Sequence, residues 1–169
     1  AFLVIRVAPP NTASAQEDDA PEQRTLIIGT EADYPPYAYQ APDGSPTGFN
    51  VELTQAVADA AGLDVEIDYR PWAEIRADLE AGRIDAIAGM FYSPERDQVV
   101  DFTPPYAIVH HAAFARSGTP AVAEVEDLRG KALIVMRDDI MHDFVRDRDL
   151  TTNLSVAETQ ADVLRLLAQ

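Results

Sequence analysis

Residues 49–89 read FNVELTQAVADAAGLDVEIDYRPWAEIRADLEAGRIDAIAG, and the spacing of their apolar residues decides the fold class. Phe49, Leu53, Ala56, Val57 and Ala60 recur at i, i+4, i+7, i+8 and i+11 around Glu52, Gln55 and Asp59, which is the stripe of an amphipathic helix. Gly62 stands where a left-handed cap ends such a helix. Leu63, Val65, Ile67 and Tyr69 then alternate with Asp64, Glu66, Asp68 and Arg70, the period-two pattern of a strand with one wet face. Pro71 suits a first helical position, Trp72, Ile75 and Leu79 fall on one side of the helix it opens, and Gly82 closes it. Ile84–Gly89 reads as another strand, and upstream Thr25–Thr30 (TLIIGT) is a short apolar run suited to a buried one. Strand, helix, strand, helix, strand at this spacing calls for right-handed crossovers and a parallel sheet, hence an α/β fold.

Working outward, a Pro-rich loop with Pro35, Pro36, Pro42 and Pro46 follows the first strand. The second half repeats the alphabet less cleanly. Ile108–Ala115 reads as a strand, Glu124–Gly130 as a short helical turn, Ala132–Met136 as a strand, Asp138–Asp147 as a helix and Leu154–Val156 as a strand. An amphipathic helix with Val163, Leu164, Leu166 and Leu167 follows within Ala157–Gln169. Pro104 and Pro105 forbid helix and stiffen Phe102–Tyr106, the expected passage between two lobes at 25–104 and 105–169. At the start, Phe2–Ile5 is too short to span a bilayer, and Ala13-Ser14-Ala15 before Gln16-Glu17-Asp18-Asp19 reads as the back half of a secretory signal. A disordered tail with a chance small-x-small pattern is the other reading, so 1–24 is expected to be partial leader and tail. With the last helix open at Gln169, the expectation is a fragment whose second lobe is incomplete.

The 169 residues hold 29 acidic and 13 basic side chains, a net charge of −16. Such a chain is repelled by phosphate backbones and anionic lipid, which disfavours nucleic acid and basic-patch membrane attachment. An apolar fraction of 47% argues against disorder, and the absence of cysteine excludes disulfides, thiolate metal sites and thiol catalysis.

Ligands bind at the carboxyl ends of strands in open parallel sheets, which directs attention to two loops. One holds Glu31, Asp33, Tyr34, Tyr37 and Tyr39; the other holds Met90, Phe91, Tyr92, Ser93 and Arg96, and Trp72 enters from the second helix. Aromatic faces, an acid and a guanidinium suit a small zwitterion. Arg96 can grip a carboxylate in a fork, Glu31 or Asp33 can receive an ammonium, and Tyr34 with Trp72 can sandwich the rest. Taken singly, each has a plainer reading: tyrosines beside prolines cover an apolar edge, and Arg96 between Glu95 and Asp97 is a solvated helix-start charge. The three histidines form no ligand spacing, the run Arg137–Asp149 reads as a solvated helix face, and Lys131 lacks the upstream glycine of a phosphate loop. No metal or cofactor is called for.

The combination is more specific. Gly29-Thr30-Glu31-x-x-Tyr34-Pro35-Pro36-Tyr37, Asp43-Gly44-x-x-x-Gly48-Phe49-Asn50-Val51-Glu52-Leu53, Gly82-Arg83-Ile84-Asp85-Ala86-Ile87, Ser93-Pro94-Glu95-Arg96 and Val100-Asp101-Phe102-Thr103-x-Pro105-Tyr106 follow one another in order. Together they resemble the bacterial extracytoplasmic solute-binding proteins of family 3. The resemblance implies a two-lobed periplasmic-binding fold that closes on its ligand, an extracytoplasmic location and no enzymatic activity of its own. It also implies that Arg96 holds a ligand carboxylate, that Tyr34 and Trp72 stack on the side chain, and that Glu31 meets a cationic group.

Two departures qualify that picture. Met90-Phe91-Tyr92 replaces a small hydroxyl residue, and Arg137-Asp138-Asp139 replaces the Gly-Ser-Thr-like helix start that offers free N–H groups to a carboxylate. Asp138 or Asp139 suits a helix N-cap, and a carboxylate there answers the helix dipole itself and repels an anionic ligand. The same segments, with His110-His111-Ala112, resemble the family 3 modules that serve as sensor domains of membrane histidine kinases. Three functions follow from the resemblance. The first is a sensor module coupled to a membrane signalling output domain, the second a receptor delivering solute to an ABC permease, and the third a periplasmic dehydratase on the same fold, with Glu31 or Asp33 as acid or base.

Overall fold

The computed structural model describes residues 2–5 and 24–169, the first four by their backbone alone. In chain order, β1 is Phe2–Ile5, β2 Leu26–Glu31, β3 Asp33–Tyr34, β4 Ala38–Gln40, β5 Pro46–Thr47, α1 Phe49–Ala61, β6 Val65–Arg70, α2 Trp72–Glu80, β7 Ala86–Met90 and β8 Asp101–Phe102. There follow β9 Leu133–Met136, α3 Ile140–Asp147, β10 Leu154–Ala157 and α4 Gln160–Ala168. The chain divides into two units, one built from the described residues up to Arg70 with Glu74–Ala107, the other from Pro71–Ala73 with Ile108–Gln169. The division after Ala107 falls just beyond the expected passage at Pro104-Pro105.

The first unit carries a five-stranded sheet of order β6-β2-β7-β1-β8. β2 runs parallel to both neighbours, in register Leu26↔Val65 to Glu31↔Arg70 on one side and Ile28↔Ala86, Gly29↔Ile87 on the other, as the alternating pattern requires. On one face Ile28, Ala86 and Ala88 pack with Leu26, Val65 and Ile67. On the other, a β-carbon added to Gly29 would lie 2.6 Å from Ile84 Cδ1 and 2.7 Å from Ile75 Cγ2, so α2 sits on β2 at a distance that only glycine permits. The cap on α1 is the expected one: Gly62 is left-handed (φ 66°) and its N–H reaches back to Ala58 and Asp59.

As the edge strand, β6 keeps its charges at the rim, which discourages pairing with another chain. Arg70 Nη2 binds Asp68 at 2.6 Å and Asp78 of α2 at 2.5 Å, and Asp78 also pairs with Arg83. These hydrogen bonds, from Arg70 first and Arg83 second, hold the Asp78 carboxyl below its usual range.

Three expectations change. Phe2–Ile5, assigned to leader and tail, is a strand antiparallel to β7 and β8; its four apolar residues form the ladder that those strands do not make with each other. The cleavage motif at Ala13–Ala15 lies outside the described residues. The Pro-rich loop contains a small antiparallel sheet, β3-β4-β5, tied to β6 where Tyr69 Oη donates to the Gly44 carbonyl at 2.7 Å. Ile108–Ala115 is no strand: no described strand lies beside it to accept its backbone, and Ile108 and Phe114 are 83% and 71% exposed.

In the second unit β9 and β10 pair in parallel, and Val135, Val145 and Leu150 form a core with Leu128, Leu133, Met141, Phe144, Leu154 and Val156. The run Arg137–Asp149 is solvated only in part. Asp139 and Asp143 are buried: Asp139 caps α3 by accepting the Met141 N–H at 3.0 Å, and Asp143 pairs with Arg146 at 3.1 Å.

Gly29→Ala is expected to cost about 1–3 kcal/mol by overpacking β2 against α2, read as a lower denaturation midpoint at unchanged m-value. A lowered native pKa stabilises above the unfolded carboxyl value and is lost as pH falls through the native one. Asp78→Asn is therefore expected to melt below the parent at pH 7, and the two curves converge as pH drops below about 4.

Candidate functional site

The parallel register of β2 and β7 brings their carboxyl ends side by side, and six of the sequence-predicted residues gather on the loops that leave them. Thr30 is buried and its Oγ1 donates to the Ala88 carbonyl at 3.4 Å, tying the two strand ends together. Glu31 closes β2 opposite Arg70. The chain then turns so that the Tyr37 N–H donates to the Tyr34 carbonyl at 2.9 Å, and the two rings stack at 5.3 Å between centroids. Phe49 meets Tyr37 edge-on at 6.5 Å and Tyr106 at 6.1 Å, extending the aromatic row across the start of α1.

At the end of β7, Met90 is 1% exposed and anchors the second loop. Ser93 Oγ accepts the Arg96 N–H at 3.2 Å, starting a 3-10 turn at Arg96–Gln98. Arg96 is 2% exposed, so the solvated-charge reading of this residue fails. Its Nη1 donates to the Phe91 carbonyl at 3.3 Å and curls the loop over the guanidinium. A guanidinium removed from water to this degree must be matched by acceptors, because an isolated buried cation is strongly penalised. The Phe91 carbonyl is one such acceptor.

Trp72 and Asp139 fall in the second unit. Trp72 is buried and its indole N–H donates to the Asp138 carbonyl at 2.7 Å. Asp138 holds a left-handed backbone (φ 55°), a conformation Asp tolerates better than most residues, and its N–H donates to His142 Nδ1 at 3.0 Å. His142 thus closes the turn before α3. Among the described residues no cluster of three His, Cys, Asp or Glu side chains could hold a metal ion. With Asp139 spent on the cap, this helix start does not repeat the anion-binding arrangement of free N–H groups.

Two participants escaped the sequence reading. Asn50 is buried at the second position of α1, and its Oδ1 accepts from Tyr106 Oη at 3.0 Å. Burial pushes the Tyr106 hydroxyl up to about 12. Asn50 lies off the apolar stripe read from the sequence, and the face that α1 buries, with Asn50, Val51 and Ala58, is not the one that stripe marks.

The profile of the bacterial extracellular solute-binding proteins, family 3, matches residues 26–167, which takes in every loop described above. The chain belongs to this family. Family 3 relatives include the L-cystine-binding protein TcyJ of Escherichia coli K12, 35% identical over 112 residues, covering 65% of this chain and 42% of that protein. Among solved structures, a histidine kinase sensor domain with similarity to periplasmic binding proteins is 44% identical, with a TM-score of 0.81 over 86% of this chain and 64% of that one. An ancestral arginine-binding protein bound to arginine is 27% identical, with a TM-score of 0.71 over 86% of this chain and 66% of that one. The chain thus spans about two fifths of the curated relative and about two thirds of each solved one, in a periplasmic-binding-type α/β fold.

Trp72→Phe keeps the ring but leaves the Asp138 carbonyl without its indole donor. The variant is expected to lose about 0.5–1.5 kcal/mol of stability, measured by chemical denaturation.

Proposed function

We propose that this chain is the extracytoplasmic ligand-binding part of a signalling protein such as a membrane histidine kinase, binding a small amino-acid-like solute and acting by the lobe closure expected of its family. The observation that carries the sensor reading is the 44% identity and 0.81 TM-score to a kinase sensor domain. In this reading Arg96 holds a carboxylate, Met90 and Phe91 line the loop around it, Tyr34, Tyr37 and Trp72 present aromatic surface, and Glu31 meets a cationic group. Asp139 is committed to its helix cap, so recognition leans on Arg96 for the anionic end of the solute. Differential affinity for the closed state supplies the population shift that a membrane output domain reads.

The second reading, a receptor that hands its solute to an ABC permease, is favoured by the match to the cystine-binding protein. The intact parent protein separates the two. A sensor carries an apolar stretch of roughly 20 residues and an output domain after the binding module, whereas a transport receptor does not.

Ligand class is tested on the intact protein by melting with L-arginine, L-cystine and a dicarboxylate as probes. A probe at 100 times its dissociation constant adds about 2.7 kcal/mol and raises the melting temperature visibly. Arg96→Lys and Arg96→Met are both expected to weaken a carboxylate probe by roughly 10- to 150-fold, the equivalent of about 1.5–3 kcal/mol for hydrogen bonds to a charged group. A parent-like shift in either folded variant would show that Arg96 does not hold the carboxylate.

A further inference from the structure

Three segments of the first unit meet at one buried side chain. The Asn50 backbone N–H donates to the Tyr37 carbonyl at 2.8 Å, beside Phe49 N–H to Pro36 O at 3.1 Å, so the first turn of α1 is pinned to the aromatic loop. Its Oδ1 accepts the hydroxyl of Tyr106, which lies just past the Pro104-Pro105 connector. Its Nδ2 stands where a β-carbon on Gly89 would be, and Gly89 itself holds φ +107°, a backbone that side-chain-bearing residues rarely adopt. Gly89 directly precedes Met90, Phe91 and the turn that curls over Arg96.

We propose that Asn50 is a positioning residue that couples the connector Phe102–Tyr106 to the Arg96 loop, so that the hydroxyl of Tyr106 sets the order of that loop. The inference deepens the solute-site reading and rests on it for its functional meaning. The coupling itself is a property of the ligand-free protein. The amide is held on both sides: the Tyr106 hydroxyl donates to its oxygen, and its nitrogen packs against the Gly89 backbone, where a β-carbon would stand. Loss of the hydroxyl frees the amide to rotate, and rotation withdraws the group that packs against Gly89 near the end of β7. Coupling between two such sites is reciprocal, so crowding at Gly89 must in turn loosen the connector.

Hydrogen exchange on the intact protein, followed by mass spectrometry, tests this without any ligand. Tyr106→Phe keeps the ring and removes only the hydroxyl. It is expected to speed exchange several-fold across residues 89–98, while residues 26–31 and 65–70 exchange as in the parent. Gly89→Ala, which displaces the Asn50 amide, is expected to speed exchange across 101–107. If residues 89–98 of Tyr106→Phe exchange within twofold of the parent, Asn50 is a local packing group and the coupling is wrong. Should Gly89→Ala fail to fold, the Tyr106→Phe measurement decides alone. A parallel melting series with L-arginine and L-cystine keeps the two readings apart. Absence of any shift in the parent counts against these solutes and leaves the exchange result intact. Where either probe binds, Tyr106→Phe is expected to weaken it about tenfold at a probe-free melting temperature within a few degrees of the parent; equal affinity overturns the positioning role.

Discussion

Ile75 lies over Gly29 with no space for a β-carbon between them, and the arrangement of the first unit depends on that approach. It seats α2 directly on β2, the strand that runs parallel to both β6 and β7 and so sets the level at which the sheet ends. Thr30, tied to the Ala88 carbonyl, and Met90, which ends β7, are both buried, and the two loops that follow leave from these neighbouring strand ends. A longer residue at position 29 would lift the helix and shear the sheet, because a close-packed interior transmits strain instead of absorbing it.

Above that base the loops hold themselves by their own polar groups. Ser93 caps the turn at Arg96, Arg96 draws in the Phe91 carbonyl, and Asn50 links α1, the end of β7 and Tyr106. Such pre-organisation matters in a chain of net charge −16. The distant field of 29 acids repels an anionic solute, but it is screened over roughly 10 Å, whereas a guanidinium shielded from water acts at contact distance with little screening. In the proposed reading the local cation, not the overall charge, governs what the domain holds.

The extents of α1, β6 and α2 and the glycine stops of the helices were legible from their periods, and α2 buries Trp72, Ile75 and Leu79 as expected. On α1 the buried face is Asn50, Val51 and Ala58, while Phe49, Ala56, Val57 and Ala60 of the expected apolar stripe are exposed, so the period there located the helix but not its inward side. Elements that depend on a partner were not legible. Ile108–Ala115 has the apolar content of a strand, yet a strand exists only through its neighbour's hydrogen bonds, and none of the described strands supplies them. Conversely, β3-β4-β5 arises inside a proline-rich stretch because its antiparallel pairs are only two residues long and take in Pro46 at their edge, with Tyr69 clasping the hairpin. The acids of Arg137–Asp149 look alike in sequence, but Asp139 and Asp143 are drawn inward by a helix N–H and an arginine.

By itself the sequence determined the α/β class, the alternation of β2, α1, β6, α2 and β7, and the family, since these rest on local period and on motifs read along the chain. It also named the residue types at the ends of β2 and β7. Tertiary structure alone decided that Arg96 is buried instead of solvated, that Trp72 is tied to Asp138, and that Asn50 joins Tyr106 to Gly89. The reason is physical: burial and hydrogen-bond partnership are properties of pairs far apart in the chain, such as Asn50 and Tyr106, and no local pattern encodes the second member of such a pair.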